Sequence, residues 1–111
     1  MSRRPSYPPK AKMLKTPEDT ILRNLVREAT NLGWLIYHTH DSRRSPEGFP
    51  DLIMVRGDTM LCWELKSETG QPTRAQLTWV AALMQVTRLD VRVVRPEGLE
   101  DAYRTLVEAG R

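Results

Sequence analysis

Two short apolar runs joined by a glycine and an aspartate constrain this chain more than any other feature. Residues 52–56 read Leu-Ile-Met-Val-Arg, and residues 59–65 read Thr-Met-Leu-Cys-Trp-Glu-Leu. β-Branched and aromatic members mark both as strands. Gly57 and Asp58 between them suit a two-residue hairpin loop, because both tolerate positive φ. Such a loop sets the register: Arg56 faces Thr59, Val55 Met60, Met54 Leu61, Ile53 Cys62, Leu52 Trp63, and Asp51 Glu64. Directly opposed Cβ atoms lie roughly 4.5–5.5 Å apart. Lys66, two residues beyond Glu64, points to the same face. Two carboxylates held opposite each other repel, and a bound metal ion is the simplest compensation. A three-residue turn or a bulge would shift this register, so the loop length carries the argument.

The rest of the chain must build a domain around that hairpin. Its 111 residues suit one domain with a single modest core. No run of about 18 apolar residues offers a membrane span, and the first residues form no apolar signal segment. One cysteine excludes an intramolecular disulfide and a cysteine-cluster zinc site. A reducing, cytoplasmic setting is expected.

Charge is unevenly spread. The net charge is +3, yet Arg3, Arg4, Lys10, Lys12 and Lys15 stand among the first 16 residues with no acid. Beyond them 12 basic residues meet 14 acidic ones. Residues 1–15, with Pro5, Pro8 and Pro9, read as a flexible basic arm, and residues 16–111 as the domain. Such an arm suits a polyanion or serves as a solubilising tail.

A first helix follows the arm. Thr16 is its candidate N-cap, Pro17 suits the first helical position, and Asp19 sits where a capping-box acid would. Ile21, Leu22, Leu25, Val26, Ala29 and Leu32 recur at helical spacing, and Gly33 ends the run. On a helical wheel Glu18 falls near the centre of that apolar face, pointing to the core. A first-turn acid favoured by the helix dipole is the plainer alternative.

Trp34 to His40 reads as a strand. His38 and His40 share one face, but two histidines with no third ligand nearby are weak evidence for a metal. His40 is the better placed, because the loop Asp41–Pro50 follows it. That loop offers Ser42, Arg43, Arg44 and Ser45 beside the hairpin. It is either a grip for phosphates or an ordinary solvated loop.

After the hairpin, Ser67–Pro72 is a polar connector. A second helix spans about 73–86, with Ala75, Trp79, Val80, Leu83 and Val86 on its apolar side. Thr73 and Gln76 match a capping box; otherwise Gln76 reaches toward the carboxylates. Asp90–Arg95 is a strand, ended by Pro96. A strand–helix–strand crossover of this length implies a parallel neighbour. A last helix over about 97–109 turns Leu99, Ala102, Tyr103, Leu106 and Ala109 inward, with Gly110 as its stop. Cys62, Met54, Met60 and Met84 look like core filling. The expected fold class is α/β, with one mixed sheet flanked by helices.

These residues resemble a known pattern. Pro50-Asp51, a spacer, then Glu64-Leu65-Lys66 is similar to the PD-(D/E)XK nuclease motif, and the element order matches the αβββαβ core of restriction-endonuclease-like folds, with one helix added. Gly33-Trp34, His40-Asp41-Ser42-Arg43-Arg44, Gly48-Phe49-Pro50-Asp51-Leu52-Ile53, Gln76 and Trp79 look like the VRR-Nuc family. The resemblance covers roughly residues 16–95. The lead-in Gln-Pro-Thr-Arg-Ala before Gln76 departs from the more usual Ser-Pro-Glu type.

The resemblance implies a Mg²⁺- or Mn²⁺-dependent DNA endonuclease, a phosphodiester hydrolase typical of phages and prophages. It implies a homodimer acting on branched DNA, with the Holliday junction first, and no small-molecule cofactor. Asp51, Glu64, Lys66 and Gln76 would be catalytic. Glu18, Asp51, Glu64 and the Leu65 carbonyl would hold the metal. Oxygen-only ligands agree with a hard cation. His40, Ser42, Arg43, Arg44 and Ser45 would contact DNA. Three alternatives remain open. The chain could be a DNA-binding module of the same fold without useful catalysis. It could be a nuclease for flaps, nicks or duplex. Or it could be an interaction domain whose acids merely sit at strand ends.

Overall fold

A computed structural model of the chain describes residues 17–38 and 47–111. The basic arm 1–15 and the loop residues His40, Ser42, Arg43, Arg44 and Ser45 lie outside the described residues.

The hairpin has the expected register. β2 (Leu52–Arg56) and β3 (Thr59–Leu65) pair antiparallel, with Arg56 opposite Thr59 and Leu52 opposite Trp63. Gly57 adopts φ +60° at the first loop position, which a side chain would resist. Space is a second reason for glycine here. A Cβ at Gly57 would lie 2.6 Å from the carbonyl oxygen of Gly110, and one at Gly110 would run into the carbonyl of Arg56.

The other elements extend this pair on both sides. β1 (Leu35–His38) pairs antiparallel with β2. β4 (Leu89–Val94) pairs parallel with β3, after α2 (Arg74–Leu83) has carried the chain back. The sheet order is β1-β2-β3-β4. With α1 (Glu18–Asn31) before the sheet and α3 (Leu99–Glu108) after it, the chain is an α/β domain with a four-stranded mixed sheet. A short 3-10 turn, Pro96–Gly98, leads into α3.

The core lies between α1, α3 and one sheet face. Ile21, Leu25 and Ala29 from α1 meet Leu52, Met54, Leu61, Trp63, Leu65 and Val94 from the sheet and Leu99, Ala102 and Leu106 from α3. Each large side chain buried there contributes about 1.5–3 kcal/mol relative to exposure. Arg56 staples the far end of this layer. Its guanidinium donates to the carbonyls of Leu32, Val107 and Ala109, so it caps the C-terminal turns of α1 and α3 together. The same group stacks 4.7 Å over Trp34, whose indole N–H donates to the Leu106 carbonyl at 2.9 Å.

Several local expectations need correction. α1 is capped by Pro17 with no side-chain cap hydrogen bond, so Asp19 forms no capping box. Its C-terminus follows the expected glycine rule. Gly33 has φ +89°, its N–H donates to the Thr30 carbonyl, and the Trp34 N–H donates to the Ala29 carbonyl, a Schellman ending. α2 stops at Leu83, not Val86, and Val86 is half exposed. Met60 and Met84 are exposed as well, so of the named residues only Met54 and Cys62 fill the core side of the sheet or its buried strand. The reason is coverage. Leu35, Tyr37 and Met60 alternate onto the sheet face away from α1 and α3, and α2 packs over the β4 side of that face, leaving these residues exposed.

Candidate metal centre

The hairpin register carries Asp51 to the open end of the sheet, one residue before β2 and across from Glu64. Asp51 does not stand free there. Its Oδ2 accepts the backbone N–H of Leu65 at 3.0 Å, continuing the β2–β3 ladder with a side chain. One carboxylate oxygen is thereby fixed, and the group is held beside Glu64.

Glu64 is the unusual member. It is 1% exposed, yet among the described residues neither carboxylate oxygen has a hydrogen-bond partner. Lys66 Nζ approaches Oε2 to 3.6 Å, close enough for charge attraction and too far for a hydrogen bond. Lys66 is itself buried. Burial pushes the Glu64 carboxyl up to about 8, the Asp51 charge pushes in the same direction, and Lys66 offsets part of the rise. A buried carboxylate with unsatisfied oxygens is costly unless something compensates it.

The local sequence explains this placement. Cys62, Glu64 and Lys66 alternate onto one face of β3, while Leu61, Trp63 and Leu65 turn into the core. Trp63 is fully buried and its indole N–H donates to Asp90 on the neighbouring β4 at 3.0 Å. Arg92 stacks 4.9 Å over the same ring and pairs with Asp90 at 2.6 Å. The strand cannot rotate without tearing that anchor, so the face of Glu64 is fixed.

The loop after Lys66 closes one side of the centre. Arg95, just past β4, donates to the carbonyls of Ser67 and Gly70 at 2.9 and 2.8 Å. The Ser67 hydroxyl accepts the Gly70 N–H. A Cβ at Gly70 would lie 3.4 Å from Glu18 Oε2 and 3.5 Å from the Lys66 stem, so α1 brings the Glu18 carboxylate over the same loop. Glu18 is exposed, however, and does not point into the core. The helical wheel gave its direction around the axis but not its height. Glu18 is the first helical residue, nearly a turn before the first buried position, Ile21.

Gln76 takes the capping role. Its Oε1 accepts the Thr73 N–H at 2.8 Å, and the Thr73 hydroxyl accepts the Gln76 N–H at 3.1 Å. Its amide oxygen is thus committed to the helix start.

The donor set fits a hard divalent cation. Asp51 and Glu64 offer carboxylate oxygens, one pair of them unbonded, and the main chain at Leu65 is adjacent. Mg²⁺ is commonly held by one or two carboxylates while keeping several waters. Among the described residues no group of three or more His, Cys, Asp or Glu side chains is placed to hold a metal ion. Among the described residues, main-chain oxygen and water are the groups that would complete such a shell.

Arg95 was not singled out in the sequence. Its signal was the parallel β3–β4 register, which sets Leu65 beside Val94 and so Arg95 beside Lys66. Comparison with family models, curated proteins and solved structures found no match to this chain. Among the described residues no helix is long and apolar enough to cross a membrane.

Proposed function

We propose that this chain is a Mg²⁺- or Mn²⁺-dependent DNA endonuclease that hydrolyses phosphodiester bonds. The observation that carries the proposal is Glu64: a buried carboxylate with no hydrogen-bond partner among the described residues, facing Asp51, with Lys66 Nζ at 3.6 Å. Such a group is expensive in a purely structural role. It is well suited to a cation that needs desolvated, negatively charged oxygen.

Asp51 and Glu64 would hold the ion, with the Leu65 carbonyl as a main-chain ligand. A bound divalent cation neutralises phosphate charge and lowers the pKa of water. The protein's own groups supply the remainder. The Asp51–Leu65 hydrogen bond keeps one carboxylate aimed beside Glu64. Lys66 places its buried Nζ against Glu64, where as an ammonium it would stabilise negative charge on a phosphate, and as a neutral amine it would instead take the proton of the attacking water. Arg95 holds the Ser67–Gly70 loop and so positions Lys66.

The preference for branched DNA, the homodimer and membership of the VRR-Nuc family are proposed from the sequence resemblance alone. A non-catalytic DNA-binding module is the second reading. It is favoured by the convergence of only two acidic side chains among the described residues.

Incubating the full chain with supercoiled plasmid, duplex, flap and four-way DNA, with Mg²⁺ or Mn²⁺, separates the two. Cleavage that needs the ion and disappears in Asp51→Asn and Glu64→Gln, with DNA binding kept, supports the enzyme. Binding without cleavage of any substrate supports the module.

A further inference from the structure

A second feature lies on α2 and the segment that leads to Asp51, and includes none of the proposed metal donors. Phe49 and Trp79 pack edge to face, with ring centroids 5.0 Å apart and planes at 84°. Next to the pair opens a groove of about 430 Å³, lined by Glu47, Arg74, Ala75, Thr78 and Trp79. The groove is shallow and open to solvent, a shape for a planar ring laid on the surface and not for an enclosed ligand. The groove is rigidly framed. Gly48, at φ +96°, lies against the Ala75 backbone so closely that no Cβ would fit. Gly48 and Phe49 therefore pack directly on α2.

We propose that this groove seats an unpaired nucleobase of the bound DNA, stacked on the Trp79 indole. The proposal rests on the nuclease reading of the Asp51–Glu64 centre and adds a basis for substrate shape. Three observations converge on it. Trp79 is the one tryptophan that is not buried: Trp34 and Trp63 are 4% and 0% exposed. A partly exposed indole braced by a second ring would offer a surface on which any base can stack. Arg74 puts a cation on the rim, placed for the adjoining phosphate. Glu47 offers a carboxylate to exocyclic amino groups of a base, as acids do for cytosine N4.

Chain geometry ties the groove to the centre. Glu47 lines the groove and Asp51 belongs to the carboxylate pair, four residues on. Fully extended chain spans at most about 14 Å over that interval. At about 3.4 Å per stacked nucleotide, that backbone separation corresponds to about four nucleotides, to which side-chain reach at either end adds. Inside an intact duplex both faces of a base are covered by its neighbours. Only a base released from the stack, as at a branch point, a flap or an end, can occupy the groove.

Fluorescence of the full-length Asp51→Asn protein tests this without cleavage. Because the other two tryptophans are buried, acrylamide quenching reports on Trp79. A 12-nucleotide oligo-dC strand should protect the indole saturably, and a blunt duplex of the same length should protect it far less. The Trp79→Phe protein should lose the protectable signal. On Asp51-containing protein, Trp79→Ala should raise KM about tenfold or more for a substrate with unpaired bases. It should leave kcat within about twofold, and Trp79→Phe should raise KM less. Melting curves confirm that both variants are folded.

An indole unprotected by saturating oligo-dC, or an equal KM rise on fully paired duplex, overturns the base seat. The two ideas fail differently. Metal-dependent cleavage with an unprotected indole removes the base seat and leaves the nuclease. Protection without any cleavage keeps the base seat and removes the nuclease.

Discussion

Asp51 Oδ2 takes the backbone N–H of Leu65 at 3.0 Å, so one side chain both extends the sheet and faces Glu64. The two roles separate by substitution. Asp51→Asn keeps an acceptor for Leu65 but removes the charge. It should abolish cleavage and any rise in melting temperature with Mn²⁺, while metal-free stability rises chiefly above about pH 8, where Glu64 is ionised and loses a like-charged neighbour. Asp51→Ala also removes the acceptor and should cost about 1 kcal/mol more in urea unfolding. Equal Mn²⁺-dependent melting shifts in wild type and Asp51→Asn would count against the metal centre.

Glu64 predicts an unusual pH dependence. Its carboxyl is raised to about 8, chiefly by burial and then by Asp51, so the folded state holds the proton more tightly than the unfolded chain. This contribution to stability is fully present below the unfolded value near 4.5 and is lost as pH rises through about 8. Metal-free protein should lose on the order of a few kcal/mol between those limits. Glu64→Gln should flatten that slope and melt higher than wild type at pH 8 without metal. Stabilisation by Mn²⁺ should grow with pH in wild type and vanish in the variant. Thermal melts at five pH values, with and without Mn²⁺, decide it.

Lys66→Met isolates the ammonium. Lys66 lowers the Glu64 carboxyl, so its removal should move the pH midpoint of Mn²⁺ binding upward. Cleavage at neutral pH should fall by at least about a hundredfold if Lys66 serves as acid–base or charge stabiliser. Full cleavage by Lys66→Met would sink both roles.

Arg56 is a stability prediction far from the centre. It satisfies carbonyls at the ends of α1 and α3 and stacks on Trp34. Arg56→Ala should cost about 2–4 kcal/mol. Arg56→Lys should recover less than half, because an ammonium cannot reach several carbonyls in one plane. Denaturant unfolding measures both, and cleavage by the folded fraction should be unchanged.

Much of this architecture was legible in the chain. Strand pairing around Gly57-Asp58 follows from loop chemistry and alternation, which are local. The parallel β3–β4 pair follows from the length of the crossover. Asp51 opposite Glu64, with Lys66 on the same face, is a consequence of period two. The Thr73–Gln76 capping box is likewise short-range. Where local logic ran short, the cause was distance along an element or coverage by another. Glu18 had the right azimuth on α1 and the wrong height, and Met60 and Met84 had core chemistry at positions that are exposed.

The sequence by itself determined the hairpin, its register and the residue types that meet at its end, because each rests on contacts a few residues apart. Only the tertiary structure decided the energetic character of the centre. Glu64 became a buried carboxylate whose oxygens have no hydrogen-bond partner among the described residues, on a strand that the indole of Trp63 pins to β4. Arg95 reached the Ser67–Gly70 loop, and Phe49 reached Trp79, across the sheet and along α2. Burial and long-range approach of this kind depend on how layers stack, which no local pattern encodes.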